Sequence, residues 1–188
     1  MFLQELWLHK IGWNDQLPSQ ILTRWLVIRE EFTQLARLTI PWWFNTWSDS
    51  TVELHGFSDA SQLAMAAVIY IITHSPSIGP TSAFVCSKTK IAPLKRLTIP
   101  RLELTATLLL ARLMKYVQAT LNVNVASSHM WTDSMTTLTW VKSHAFRWKD
   151  FVRNRVTLIQ ELASNAHWRH VPGTVNPADC ASRGMTVA

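Results

Sequence analysis

Residues 54–72 read LHGFSDASQLAMAAVIYII, and this stretch decides the fold. Leu54 to Phe57 is a short apolar-weighted segment, Asp59-Ala60-Ser61 is prone to turn, and Leu63 to Ile72 is a run of ten residues dominated by apolar side chains. A run of that length bounded by a turn signal reads as a buried strand. It is well short of the roughly 20 residues that a membrane helix needs. Working outward, Ser75 to Pro80 carries the next turn signal, and Ser82 to Ser87 forms a third strand, so the spacing predicts an antiparallel meander.

Beyond a basic loop, Pro100 stands where a helix would start, and the apolar stretch through Leu121 is too long for a strand. A strand from Ser128 to Thr132 follows, then helices from Ser134 and from Asp150 to Ala163, a strand from His167 to Val171, and a short helix opened by Asn176-Pro177. Three strands, helix, strand, helices, strand, helix is a mixed α/β order with five strands. Upstream, Ile21, Trp25, Ile28, Phe32 and Leu35 recur at helical spacing between Pro18 and Leu38, and Pro41 stops that helix. Trp42, Trp43, Phe44 and Trp47 make a connector expected to dock the helical segment. The expected division is a helical segment over residues 1–50 and an α/β domain over 51–188.

The chain has 188 residues, 48% of them hydrophobic, enough for one substantial core and a small appendage. Eighteen Lys and Arg against twelve Asp and Glu give a net charge of +6, which favours an anionic partner. Cys86 and Cys180 lie far apart and make no metal or disulfide framework, and no secretory signal follows Met1. A soluble protein of a reducing compartment, without a membrane partner, is expected.

Four carboxylates stand out. Asp59 and Asp133 fall at strand ends, Glu103 interrupts an apolar helix, and Asp179 sits in the last helix. Each has an ordinary explanation: turn former, helix cap, or solvated stripe. Gathered in one place they would repel, raising their pKa values unless cations compensate, and hard oxygen ligands suit Mg²⁺ or Mn²⁺.

The groups Phe57-Ser58-Asp59-Ala60-Ser61, Arg101-Leu102-Glu103-Leu104, Trp131-Thr132-Asp133-Ser134 and Asn176-Pro177-Ala178-Asp179 resemble, in order and spacing, the Asp, Glu, Asp, Asp signature of ribonuclease H. His55 to Gly184 is similar to the ribonuclease H region of BEL/Pao-type retrotransposon polyproteins, and Leu3 to Phe44 to their upstream connection segment. That family region is sometimes labelled a peptidase. The resemblance implies a ribonuclease H-like fold in which Asp59, Glu103, Asp133 and Asp179 hold two Mg²⁺ or Mn²⁺ ions and hydrolyse the RNA strand of an RNA–DNA hybrid during reverse transcription. It implies hybrid contacts at Ser61, Arg101, Ser134, Lys142, Arg147, Lys149 and Arg153, the polymerase domain of the parent polyprotein as partner, and a cytoplasmic setting within retroelement particles, with access to the nucleus. The loop Pro172-Gly173-Thr174-Val175 lacks the histidine that cellular relatives often carry, and His170 just upstream reads as structural.

Lys88, Lys90, Lys95, Arg96 and Arg101 fit phosphate neutralisation and solvated surface equally, whereas Lys142, Arg147, Lys149, Arg153 and Arg155, interleaved with Trp140, Phe146 and Trp148, lean to phosphate neutralisation by their resemblance to a basic, tryptophan-bearing projection of related enzymes. His167 and His170 point to opposite faces of a strand and make no zinc pair. Two other functions compete with the nuclease. An aspartic peptidase would need Asp-Thr-Gly or Asp-Ser-Gly, but Ala60-Ser61 follow Asp59 and Ser134-Met135 follow Asp133. The other is a non-catalytic remnant that docks nucleic acid or protein.

Overall fold

The computed structural model describes residues 2–35, 37, 39–40, 44, 46, 50–76 and 79–184. They form two compact units, one within residues 1–40 and one within 41–184. Trp42, Trp43 and Trp47 of the connector lie outside the described residues. Phe44 packs against the core of the second unit, and its carbonyl accepts the Thr73 hydroxyl at 2.9 Å.

In the first unit, α1 (Phe2–Leu8) and α2 (Ser19–Leu35) are joined by stacking of Phe2 on Trp25 and by an Arg24–Glu5 ion pair. The helical rhythm read for α2 holds, yet only Ile21 is buried; Trp25, Phe32 and Leu35 stay exposed.

The second unit is built on a sheet in the order β3-β2-β1-β4-β5. Strands β1 (Thr51–Ala60), β2 (Ala64–Ser75) and β3 (Gly79–Ile91) form the antiparallel meander, and β4 (Val125–Thr132) and β5 (His167–His170) run parallel to β1. The first four strands are longer than the sequence suggested, and β5 ends one residue earlier, at His170. Asp59 and Ala60, expected in a turn, remain in β1 because Asp59 pairs with Ala66 and Ala60 with Met65. Both ends of the expected Ser75-to-Pro80 turn are likewise taken up by pairing, Ser75 with Gly79 and His74 with Pro80. Pro80 is tolerated because β3 is an edge strand, and Lys88 and Lys90 guard that edge with exposed charge.

Helix α3 (Ile99–Thr120) starts with Pro100 in its first turn and crosses one face of the sheet. Leu110 and Met114 pack there with Val52, Leu54, Ile69 and Ile71. The approach is close at Gly56, where an added Cβ would lie 2.6 Å from Leu110 Cδ1 and 2.9 Å from Met114 Cε. On its other side α3 meets α5 (Asp150–Leu162) through Leu104, Leu108, Val156 and Ile159. Helix α4 (Met135–Lys142) begins directly after β4, capped by Ser134, whose hydroxyl accepts the Thr137 N–H. The last helix, α6 (Asp179–Arg183), returns to β1 and β2.

Candidate active site

Parallel pairing of β1 with β4 decides where two of the carboxylates meet. Ser58 stands opposite Thr132, so the next residues, Asp59 and Asp133, leave neighbouring strand ends side by side. Neighbouring strands lie about 4.8 Å apart, so the two charges cannot ignore each other. Glu103 comes in from the first turns of α3 and Asp179 from the start of α6.

The electrostatics agree with this convergence. Burial pushes the Asp133 carboxyl up to about 6, with the charges of Asp59 and Glu103 adding to the effect. Burial also raises Glu103, the neighbouring Ser134 hydroxyl opposes the rise, and the Asp59 charge reinforces it. Asp59 itself is buried, 4% exposed, and accepts the Ser182 hydroxyl from α6. Asp179 is joined to Arg183 by an Nε–Oδ1 ion pair of 2.5 Å. That guanidinium, on an exposed side chain, is raised first by its hydrogen bond to Asp179 and by the Asp179 charge, with smaller contributions from Asp59 and Asp133.

The fit of a cation can be tested on these residues. Asp133 Oδ1 is buried with no hydrogen-bond partner, a costly state for a carboxylate oxygen unless a cation meets it. The donor set is all carboxylate, which suits Mg²⁺ or Mn²⁺. The four side chains do not form a closed cage as they stand: no three of them bring one oxygen each within 4.8 Å of one another. Asp59 and Asp179 are instead occupied by Ser182 and Arg183. The chemistry fits divalent ions, and loading them requires the carboxylate side chains to draw together.

Sequence reasoning missed three positioning residues. Buried Asn176 donates through Nδ2 to the Ser58 carbonyl at 3.1 Å and accepts the Ala178 N–H, fixing the start of α6 beside Asp59. Ser182, fully buried, donates to Asp59 and to the Asp179 carbonyl. Gly173 leaves room for Asp133, since a Cβ there would lie 3.3 Å from Oδ2. Asx and Ser capping signals are visible in the sequence, but their partners are 118 and 123 residues away. His170 contacts the Asp133 backbone carbonyl at 3.1 Å, in keeping with a structural role.

The expected substrate contacts divide. Ser61 organises the β1–β2 turn by accepting the Leu63 and Ala64 N–H groups and donating to the Ser182 carbonyl, and Ser134 caps α4. Arg153 is paired with Asp150, and Arg155 lies 3.5 Å over the Phe151 ring. Arg147 lies over Trp148, and Lys142 lines a cleft with His167 and Arg169. Arg101 and Lys149 share another cleft, of about 620 Å³, with Thr98, Thr136, Trp140 and Trp148. The first turns of α3, α4 and α5 all border it.

The sheet order, the three-stranded meander with two parallel additions, and the acidic edge at β1 and β4 define a ribonuclease H-like domain. The chain belongs to the Pao retrotransposon-like RNaseH-like domain family, whose model matches residues 1–134 and so takes in Asp59, Glu103 and Asp133 but not Asp179. Among solved structures it is similar to RNase H1 of the halophilic archaeon Halobacterium salinarum, at 16% identity over 68% of this chain and 90% of that one, TM-score 0.40. It is also similar to LC11-RNase H1 in complex with an RNA/DNA hybrid, at 12% identity over 69% and 91%, TM-score 0.38. The PFV RNase H domain aligns at 14% identity over 72% and 87%, TM-score 0.37. No curated protein matches the chain.

Proposed function

We infer that this domain is a divalent-metal-dependent endonuclease that cuts the RNA strand of RNA–DNA hybrids during retrotransposon reverse transcription. The observation that carries the reading is the buried, partnerless Asp133 Oδ1 beside Asp59, in a carboxyl group raised to about 6. Asp59, Glu103, Asp133 and Asp179 would hold two ions, Mg²⁺ or Mn²⁺, which when bound supply Lewis acidity for phosphodiester hydrolysis. The protein's own contribution is to aim the carboxylates: parallel strand ends set Asp59 against Asp133, α3 brings Glu103, and Asn176 with Ser182 fixes α6.

Substrate is held by the cleft between the first turns of α3, α4 and α5. Helix N-termini present free N–H groups and positive partial charge, which suits a phosphate. Neither Thr98 nor Lys149 closes its helix start with a side-chain cap, and Arg101 and Lys149 add full charges there. Contacts of this type position a backbone without reading bases. The polymerase domain of the parent polyprotein supplies further grip on the hybrid.

Incubation of the chain with an end-labelled hybrid and Mg²⁺ or Mn²⁺, alongside duplex DNA and duplex RNA, tests this. Cleavage confined to the RNA of the hybrid, abolished by EDTA and by Asp133→Asn, is expected. The Asp59–Asp133 pair also suits a peptidase dyad; EDTA-insensitive peptide cleavage lost in the same variant would replace the nuclease reading.

A further inference from the structure

A second group of ligand-type side chains lies on the same strand as Asp59, at its far end. Glu53 is six residues before Asp59, about 20 Å along an extended strand, so the two groups are separate. Glu53 and His55 project from β1 on the face away from α3, whose side of the sheet is taken by Val52 and Leu54. His129 of β4 stands directly across from His55, and His74 comes from β2.

One oxygen of Glu53 is the centre of the group. Oε2 is 3.2 Å from His55 Nε2, 3.7 Å from His74 Nε2 and 3.9 Å from His129 Nε2. The ligand atoms of Glu53, His55 and His129 all fall within 4.8 Å of one another, the one such group among the described residues. Tetrahedral zinc with bonds near 2.0–2.1 Å places its ligand atoms about 3.3–3.4 Å apart. The distances from Glu53 Oε2, 3.2 to 3.9 Å, bracket that spacing and exceed it most at His129, so the His129 ring must move inward by about half an ångström to share an ion with Glu53. The His55 and His129 side chains are only 16% and 13% exposed, and His129 Nδ1 is buried without a partner.

We propose that Glu53, His55 and His129 form a zinc-type metal site, with His74 or water in the fourth position, that ties β1 to β4 independently of the carboxylate centre. A mixed imidazole and carboxylate set selects zinc, copper or nickel over magnesium. Two contacts oppose binding, the first a hydrogen bond of 3.0 Å between Ser127 Oγ and His129 Nε2, which an ion would have to displace. In the second, Trp131 Nε1–H donates to His55 Nδ1 at 3.4 Å, which places the neutral ring's proton on Nε2, the atom the metal would use. Metal loading moves that proton to Nδ1 and gives up both hydrogen bonds in exchange for three metal bonds.

The test is titration of the full chain with zinc chloride, read by competition against a chromophoric chelator and by melting temperature. One zinc per chain at pH 7.5 is expected, with a higher melting temperature and an affinity at least tenfold weaker at pH 5.5, where histidine ligands take up protons. Glu53→Gln and His129→Ala should each weaken binding at least tenfold, whereas Asp133→Asn should leave it within twofold. Cobalt in place of zinc should give the strong visible absorption of a four-coordinate site. If His129→Ala does not fold, Glu53→Gln carries the test, because Glu53 is more exposed. Absence of zinc binding at 100 µM in the parent chain would overturn the proposal. So would unchanged binding in Glu53→Gln, or loss of binding in Asp133→Asn, which would place the metal at the carboxylates.

Discussion

The hydroxyl of Ser182 donates to a carboxylate oxygen of Asp59, joining α6 to the central strand across 123 residues of sequence. The same hydroxyl reaches the Asp179 carbonyl, so one buried side chain sets the placement of two candidate metal ligands. Ser182→Ala leaves Asp59 without its donor in a buried position. A loss of about 1–3 kcal/mol in stability is expected, the usual cost of stranding a buried polar partner. Urea denaturation in EDTA checks it, and a change below about 0.5 kcal/mol would show that α6 is held by its apolar packing alone.

Asp133 gives the metal-free protein a pH dependence whose sign can be worked out. Its folded pKa of about 6 lies above the ordinary aspartate value, so folding favours the protonated form. The associated stability is present below pH 4 and is lost as pH rises through 6. A rise of that size corresponds to about 3 kcal/mol, reduced to about 1 kcal/mol for a half-buried group screened by solvent. Asp133→Asn in EDTA should therefore melt higher than the parent at pH 7.5 and no higher at pH 4. Equal melting temperatures at both pH values would remove the case for repulsion at this site.

Arg183 occupies Asp179 when no metal is bound. Arg183→Gln frees that carboxylate, so half-saturation by Mn²⁺ should move to lower concentration, measured calorimetrically on the uncleaved protein. If Mn²⁺ binds the variant more weakly, Arg183 orients Asp179 instead of competing for it.

How much of this was legible in the sequence depends on how local the signal is. The strands, α3 and the order of elements follow from apolar runs, Pro100 and turn residues, and the four carboxylates could be read as a set. Strand ends could not: Asp59 and Ala60 look like turn residues but are claimed by Ala66 and Met65 across the hairpin. The stretch from Lys142 to Arg155 reads as one basic patch, yet the 3₁₀ turn at Ala145–Arg147 and the start of α5 distribute it. Lys142 faces one cleft, Lys149 another, and Arg155 lies against Phe151. Glu53, His55, His74 and His129 carry no motif spacing at all, because sheet register alone brings three strands together.

Gly56 marks where β1 and α3 approach most closely. Gly56→Ala would put a methyl group 2.6 Å from Leu110 Cδ1, in a core where Leu110 is fully buried and cannot swing away into solvent. Overpacking of this kind costs about 1–3 kcal/mol. The melting temperature should fall while the zinc and manganese stoichiometries stay the same; an unchanged melting temperature would mean that α3 can shift outward freely.

The split of the basic stretch yields a specific binding prediction. Arg101 and Lys149 line the cleft bordered by three helix starts, whereas Lys142 lines a different one with His167 and Arg169. Removing a cation that pairs with a phosphate lowers the magnitude of the log–log salt slope by nearly one unit. Arg101→Ala combined with Lys149→Ala should flatten the slope for hybrid binding by about two units, while Lys142→Ala should leave it nearly unchanged. Arg101 also lies 4.9 Å over the Phe151 ring, so circular dichroism must first show that the double variant keeps α5 in place. Fluorescence anisotropy with a labelled hybrid, in Ca²⁺ to avoid cleavage, gives the slopes. If Lys142→Ala flattens the slope as much as the double variant, the hybrid runs along β5 and the end of α4, and the cleft at the helix starts is not its seat.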